Sequence, residues 1–245
     1  MGPYVARCGR ICSLLNHDPS SRPKKPLADK IASIEEFDFA ALRTEMVATI
    51  AAEVRLVSAL IGRDRFGDRV MATMASVPRH DFVPAELRGL AYLNVPLPIG
   101  FGKTISQPFI VALMTELLEI NEMDAVLEIG TGLGYQAAIL SEMADRVYTI
   151  EIVEELAQEA RKRLDGLGYG HIEFRIGDGS RGWPEHAPYD KIIVAAAPET
   201  IPPMLVSQLK PGAGWSFPWG ETTNSTCTCS PRDMTTKSRP RSCFR

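Results

Sequence analysis

Between residues 31 and 212 the chain has no cysteine; its five thiols lie at Cys8, Cys12, Cys227, Cys229 and Cys243. That distribution argues against a disulfide framework and fits a reducing, cytoplasmic setting. Neither Cys8-x3-Cys12 nor Cys227-x-Cys229 has a histidine at ligand spacing beside it, so no metal site is expected. No stretch approaches the ~20 consecutive apolar residues of a membrane-spanning helix, and no membrane partner is expected. Positive charge is sparse in the same central region. Residues 1–30 carry six Lys/Arg against two Asp/Glu, and residues 213–245 five against two, so a net charge of −3 leaves −10 for the body. An acidic body argues against nucleic acid as a partner, because nonspecific binding neutralises phosphates with Lys and Arg. Residues 213–245 also lack Leu, Ile and Val while holding eleven Ser/Thr, an unusual makeup for the end of a folded domain.

What is present suits one large domain: 245 residues, 45% hydrophobic, enough to bury a sizeable core. Residues 1–40 read as a disordered N-terminal extension closed by the breaker-rich run His17-Asp18-Pro19-Ser20-Ser21-Arg22-Pro23. Residues 41–212 read as the folded domain and 213–245 as an atypical tail. Helical spacing of Met46, Ile50, Val54, Val57 and Leu60 predicts a first helix, and Asp68 to Met74 a second. The segment Leu93 to Gly102 holds two prolines and two glycines and predicts a shaped loop. A helix from Gln107 to Glu119 follows. Strands are then expected at 125–129, 146–150, 172–176 and 191–196, with helices at 135–143 and 153–167 between them. Such alternation predicts an α/β fold with a doubly wound, Rossmann-like sheet.

Chemistry concentrates in Val126-Leu127-Glu128-Ile129-Gly130-Thr131-Gly132-Leu133-Gly134-Tyr135, between the first of these strands and its helix. A dinucleotide fingerprint wants G-x-G-x-x-G/A, with pyrophosphate on the helix N-terminus. Here the third glycine falls one residue early, and Tyr135 stands where a small residue is needed. Glu128, two residues before Gly130, argues for a ligand with a cationic group. Glu151 ends the second strand, placed to accept from ribose hydroxyls. Asp178, beside Gly179 at the third, is placed to accept from an adenine amine. Each acid alone reads equally as a cap or turn residue. Together they describe a pocket for S-adenosylmethionine, which is cationic and lacks phosphate, with Glu128, Gly130, Gly132, Gly134, Glu151, Asp178 and Gly179 as the cofactor-binding set.

Three further stretches carry a family resemblance: Val77-Pro78-Arg79-His80-Asp81-Phe82-Val83-Pro84, Pro96-Leu97-Pro98-Ile99-Gly100, and Thr104-Ile105-Ser106-Gln107-Pro108. With the glycine run and Gly177-Asp178-Gly179, the chain from about Glu45 to Gly212 resembles the protein-L-isoaspartate O-methyltransferases. The resemblance implies methyl transfer from S-adenosylmethionine to the α-carboxylate of L-isoaspartyl residues in damaged proteins, carried out by a monomer. It also implies that Ser106 orients that carboxylate, as the catalytic residue. From position alone Ser106 reads equally as the N-cap of the helix opened by Gln107-Pro108. The alternatives are a related methyltransferase on another substrate and a non-catalytic remnant.

The remnant reading comes from the tail. Where the family reads G-G-R-L-V-I-P-V-G, this chain reads Gly212-Ala213-Gly214-Trp215-Ser216-Phe217-Pro218-Trp219-Gly220. Deleting one base from a back-translation of the family stretch yields these nine residues, so residues 213–245 are compatible with translation out of frame. The closing antiparallel strands of the sheet are accordingly expected to be missing or aberrant.

Overall fold

In the computed structural model, which describes residues 37–195, 202–218 and 226–229, Asp38 opens the first helix. Its carboxylate accepts from the Ala41 N–H at 3.0 Å, satisfying one of the amides a helix start leaves free. Helix α1 runs Phe39–Ile61 and stops where Gly62 turns left-handed at φ 74°. The helix therefore begins two residues ahead of the expected domain start; the extension before residue 37, with Cys8 and Cys12, lies outside the described residues. Met46, Ile50, Val54 and Val57 are buried on the stripe their spacing predicts, and Ile61, outside that expectation, is buried with them. Helix α2 (Asp68–Ser76) and two short 3-10 turns, Arg79–Phe82 and Ala85–Leu90, complete this first layer.

The expected loop before Gly102 is in part a hairpin. Strand β1 (Leu97–Gly100) pairs antiparallel with β2 (Lys103–Ile105). Phe101 and Gly102 turn between them at φ 52° and 66°, the double left-handed turn that matches strand twist. Alternation could not reveal these strands, because Pro98 and Gly100 occupy two of the four positions of β1. Helix α3 (Pro108–Leu118) follows, with proline in its first turn, where no N–H is needed.

Then the strands and helices alternate: β3 (Ala125–Ile129), α4 (Tyr135–Ser141), β4 (Arg146–Glu151), α5 (Glu154–Gly166), β5 (Glu173–Ile176), β6 (Tyr189–Val194), α6 (Pro203–Ser207), β7 (Leu209–Pro218) and β8 (Thr226–Cys229). The sheet order is β5-β4-β3-β6-β7-β8. All neighbours are parallel except β7 and β8, which is the doubly wound architecture, with the strand order reversing at β3/β6. Side chains divide by alternation. Val126, Val147 and Ile193 face the large core with the helices around it. Leu127, Ile129, Ile150 and Ile192 face a smaller core with Leu205.

The closing strands, expected to be missing or aberrant, are present in an irregular form. β7 crosses the expected boundary at Gly212 and pairs with β6, so β6 is not left as an edge. Its register slips between Tyr189↔Leu209 and Lys191↔Gly214, around Pro211, which has no N–H to give the ladder. β8 adds four residues antiparallel. Ladder bonds are made by backbone, and Trp215, Phe217 and the threonines of β8 suit a pleated strand, so a sequence unlike the family's still pairs here. Trp219 and Cys243 lie outside the described residues.

Candidate active site

A cavity of about 510 Å³ opens at the carboxyl ends of β3, β4, β5 and β6, where ligands of open α/β sheets bind. Of the residues singled out from sequence, Gly130, Gly132, Glu151, Asp178 and Gly179 line it. Gly130, Gly132 and Gly134 all take positive φ, at 94°, 56° and 96°, a run of left-handed backbone that side chains oppose. Gly134 is not in the wall. It caps α4, where a Cβ would come within 2.8 Å of Leu164 Cδ1, so it lets α5 pack against the glycine turn.

Glu151, almost fully buried, ties the turn to its own strand end. One carboxylate oxygen accepts from Gly132 N–H at 2.8 Å, the other from Ile152 and Val153 N–H at 2.9 and 3.0 Å. A carboxylate offers about four lone-pair sites. Three are thus taken by backbone, and one remains for a ribose hydroxyl, where the sequence suggested two. The bond from Gly132 also decides against phosphate. The glycine-turn amide that a pyrophosphate would use already serves a carboxylate, beside a second acid, Asp178. Asp178 is exposed, with one oxygen accepting from Ser180 N–H at 2.9 Å. Hydrogen bonding from Ser180, side chain and backbone, holds its carboxyl below the usual range, so it stays an acceptor at neutral pH.

Glu128 is placed otherwise. It is fully buried, facing the large core on the same side of β3 as Val126, and is absent from the cavity wall. Thr149, its register partner on β4, donates to it at 2.6 Å, and the Thr131 and Thr149 hydroxyls lie 2.5 Å apart. Among the described residues its other oxygen has no partner. Burial pushes its carboxyl up to about 8, which favours the neutral acid. Expected as an acid facing a cationic ligand, Glu128 stands behind the cavity wall, and its reach to the glycine turn is through Thr149 and Thr131.

Ser106 follows β2 and is half-buried. It does not cap α3. The N-cap position is Gln107, with no side-chain bond, and the Phe109 N–H is satisfied by Asn94 Oδ1 at 2.9 Å. The Ser106 carbonyl accepts from Arg79 at 2.7 Å. Sequence reasoning missed Ile99, Lys103 and Thr104, which bring the hairpin over the cavity, and Ile152 and Leu205 on its apolar walls. Ile152 carried a signal, being an isoleucine directly after a strand-end acid yet 65% exposed. Gly179 is close-packed under the site: a Cβ there would stand 2.4 Å from Ile129 Cγ2. Gly179→Ala should therefore cost ~1–3 kcal/mol of stability. That is a thermal midpoint lower by several degrees, and an unchanged midpoint would show that Ile129 yields freely.

The fold and this cavity define a Rossmann-like methyltransferase. A family model, protein-L-isoaspartate (D-aspartate) O-methyltransferase, matches residues 53–236. A relative from Polaromonas sp. (strain JS666), protein-L-isoaspartate O-methyltransferase 1, is 57% identical over 188 residues, covering 77% of this chain and 80% of the relative. A Syntrophobacter fumaroxidans protein-L-isoaspartate O-methyltransferase 2 is 54% identical over 182 residues, 74% of each chain. A solved protein-L-isoaspartate O-methyltransferase superposes with TM-score 0.62 at 27% identity, over 72% of this chain and 55% of its own. At 20% identity a Plasmodium falciparum structure, solved with S-adenosyl-L-homocysteine, shares the fold, with TM-score 0.61 over 78% of this chain and 88% of its own. The chain belongs to the protein-L-isoaspartate (D-aspartate) O-methyltransferase family.

Proposed function

We propose that the chain moves the methyl group of S-adenosylmethionine to the α-carboxylate of L-isoaspartyl residues in damaged proteins, with Ser106 orienting the carboxylate. The observation carrying this reading is the cavity itself: acids and glycines at three strand ends, those of β3, β4 and β5, roofed by the β1–β2 hairpin that leads into Ser106. Its residues fit a ligand with donor groups and no phosphate, for the reasons given by Glu151 and Asp178. When bound, S-adenosylmethionine supplies an electrophilic methyl on a sulfonium. The rest falls to the chain. Glu151 takes a ribose hydroxyl, Asp178 an amine, and Gly130, Gly132 and Gly179 keep the backbone close. Ser106 follows directly on β2, two residues after Thr104, which lines the cavity, and is not itself among the lining residues. A carboxylate of ordinary pKa near ~4 is ionised at neutral pH. No general base is needed, and the chain's task is alignment and exclusion of water. The reading includes a cytoplasmic monomer, with the cysteine-free body supporting the reducing setting.

Transfer of labelled methyl to an isoaspartyl peptide, its aspartyl twin and an RNA tests the reading. Labelling of the isoaspartyl peptide alone is expected; label on RNA or on both peptides would overturn it. Ser106→Ala should lower turnover at least tenfold and leave the dissociation constant of S-adenosylmethionine within twofold. Turnover unchanged in the variant would remove Ser106 from the mechanism.

A further inference from the structure

Arg79 is the largest of the fully buried side chains, and its burial lacks a counter-charge. It stands in the first 3-10 turn. Its Nε donates to the Ala91 carbonyl at 2.8 Å and one Nη to the Ser106 carbonyl at 2.7 Å. Among the described residues the other, buried Nη has no hydrogen-bond partner. The guanidinium lies 4.9 Å from the ring centroid of Tyr135, the first residue of α4 after the glycine turn. Among the described residues no carboxylate pairs with it. Tyr135 is no substitute, because burial pushes its hydroxyl up to about 12 and keeps it neutral. Burial lowers Arg79 only to about 10, so the cation persists at neutral pH.

An unpaired cation in a protein interior is costly, whereas two carbonyls and an aromatic face could be bridged by a neutral donor. The charge itself therefore calls for an explanation, and the location supplies one. The guanidinium donates to the backbone carbonyl of the residue whose hydroxyl the proposed reading gives to the acceptor carboxylate. A charge held away from bulk water is weakly screened and acts beyond its own hydrogen bonds. The same group spans both halves of the site, gripping the acceptor loop at Ala91 and Ser106 and stacking on the residue that ends the glycine turn.

We infer that Arg79 is a positioning residue for the transfer. It fixes the Ser106 loop against the helix that follows the glycine turn, and its charge favours an anionic acceptor over a neutral one. The inference rests on the reading of Ser106 above. It assigns no contact between Arg79 and substrate; the guanidinium acts through the Ser106 backbone and through its field.

The test uses the full chain: binding is measured with S-adenosyl-L-homocysteine present, so that no transfer occurs, and KM and kcat in a separate turnover assay with S-adenosylmethionine. Binding of an isoaspartyl peptide is compared with that of its α-carboxamide twin. Arg79→Gln should shrink the preference for the carboxylate about tenfold and raise the KM of the isoaspartyl peptide about as much. The dissociation constant of S-adenosylmethionine should stay within twofold. Arg79→Lys, which keeps the charge but not the forked bonds, should retain most of the preference and lose several-fold in kcat. A preference equal in wild type and Arg79→Gln overturns the inference, as does wild-type kcat in Arg79→Lys. Should Arg79→Gln fail to fold, Arg79→Lys decides: equal loss of preference and of S-adenosylmethionine binding marks a purely structural arginine and overturns the inference. If wild type labels no isoaspartyl peptide at all, the functional reading has failed instead, and the two failures are distinguishable.

Discussion

Glu151→Ala is expected to weaken S-adenosylmethionine binding about a hundredfold, the largest effect on affinity of any single change in the cavity wall. The side chain has two jobs at once. Toward the ligand it keeps one lone-pair site open; a hydrogen bond to a charged group is worth ~1.5–3 kcal/mol. Toward the chain it satisfies the amides of Gly132, Ile152 and Val153, and without it a left-handed turn loses the acceptor that pins it to β4. The two losses together reach roughly 3 kcal/mol, or about a hundredfold in a dissociation constant. Glu151→Gln is not conservative here. An amide has one acceptor oxygen, and if that serves Ile152 and Val153, its NH2 meets the Gly132 N–H, donor against donor. We expect a loss of ten- to a hundredfold for the glutamine. Titration calorimetry with S-adenosylmethionine measures both, and wild-type affinity in the glutamine variant would show that the Gly132 bond does not organise the site.

The alternation from residue 125 onward was readable because the strands are short, β3, β4 and β5 are ended by a glycine or an acid, and the helices between them have clear stripes. For the same reason the cavity wall was legible at Gly130, Gly132, Glu151, Asp178 and Gly179: in a doubly wound sheet, position at a strand's carboxyl end is nearly position in the site. Contributions made across the fold were not legible. The β1–β2 hairpin is specified by a turn that places Phe101 in left-handed backbone, a conformation such a residue seldom announces. Asn94, which takes the capping role read into Ser106, sits 15 residues before the amide it satisfies. The burial of Arg79 was not legible either, because nothing local says that a charge will be buried. In the tail, composition argued against strands, yet backbone pairing with β6 formed one.

Glu128 shows what placement alone changes, and its effect on stability should be the largest of the titrating groups. Buried, beside Thr149 and with the Glu151 charge nearby, its carboxyl rises to about 8, against ~4.3 in an unfolded chain. Between these values the folded protein holds a proton that the unfolded chain has released. The stabilisation is therefore complete below the unfolded value and is lost as pH rises toward 8, by on the order of 1 kcal/mol per pH unit. His80 works in the opposite sense. Burial lowers its pKa, so its contribution is present at higher pH and lost as pH falls through the histidine range. Comparing wild type with Glu128→Gln cancels His80 and every other shared group. Denaturant unfolding should show the glutamine variant gaining on wild type by roughly 2–3 kcal/mol between pH 5.5 and 8. A gap independent of pH would mean that Glu128 is ionised in the fold. The same variant separates two views of the acid in the glycine run. A neutral Glu128 that works through Thr149 and Thr131 is well imitated by an amide, which still offers Thr149 an acceptor, so S-adenosylmethionine affinity at pH 7 should change less than threefold. A counter-charge to the sulfonium would be lost with the substitution, and affinity would fall tenfold or more.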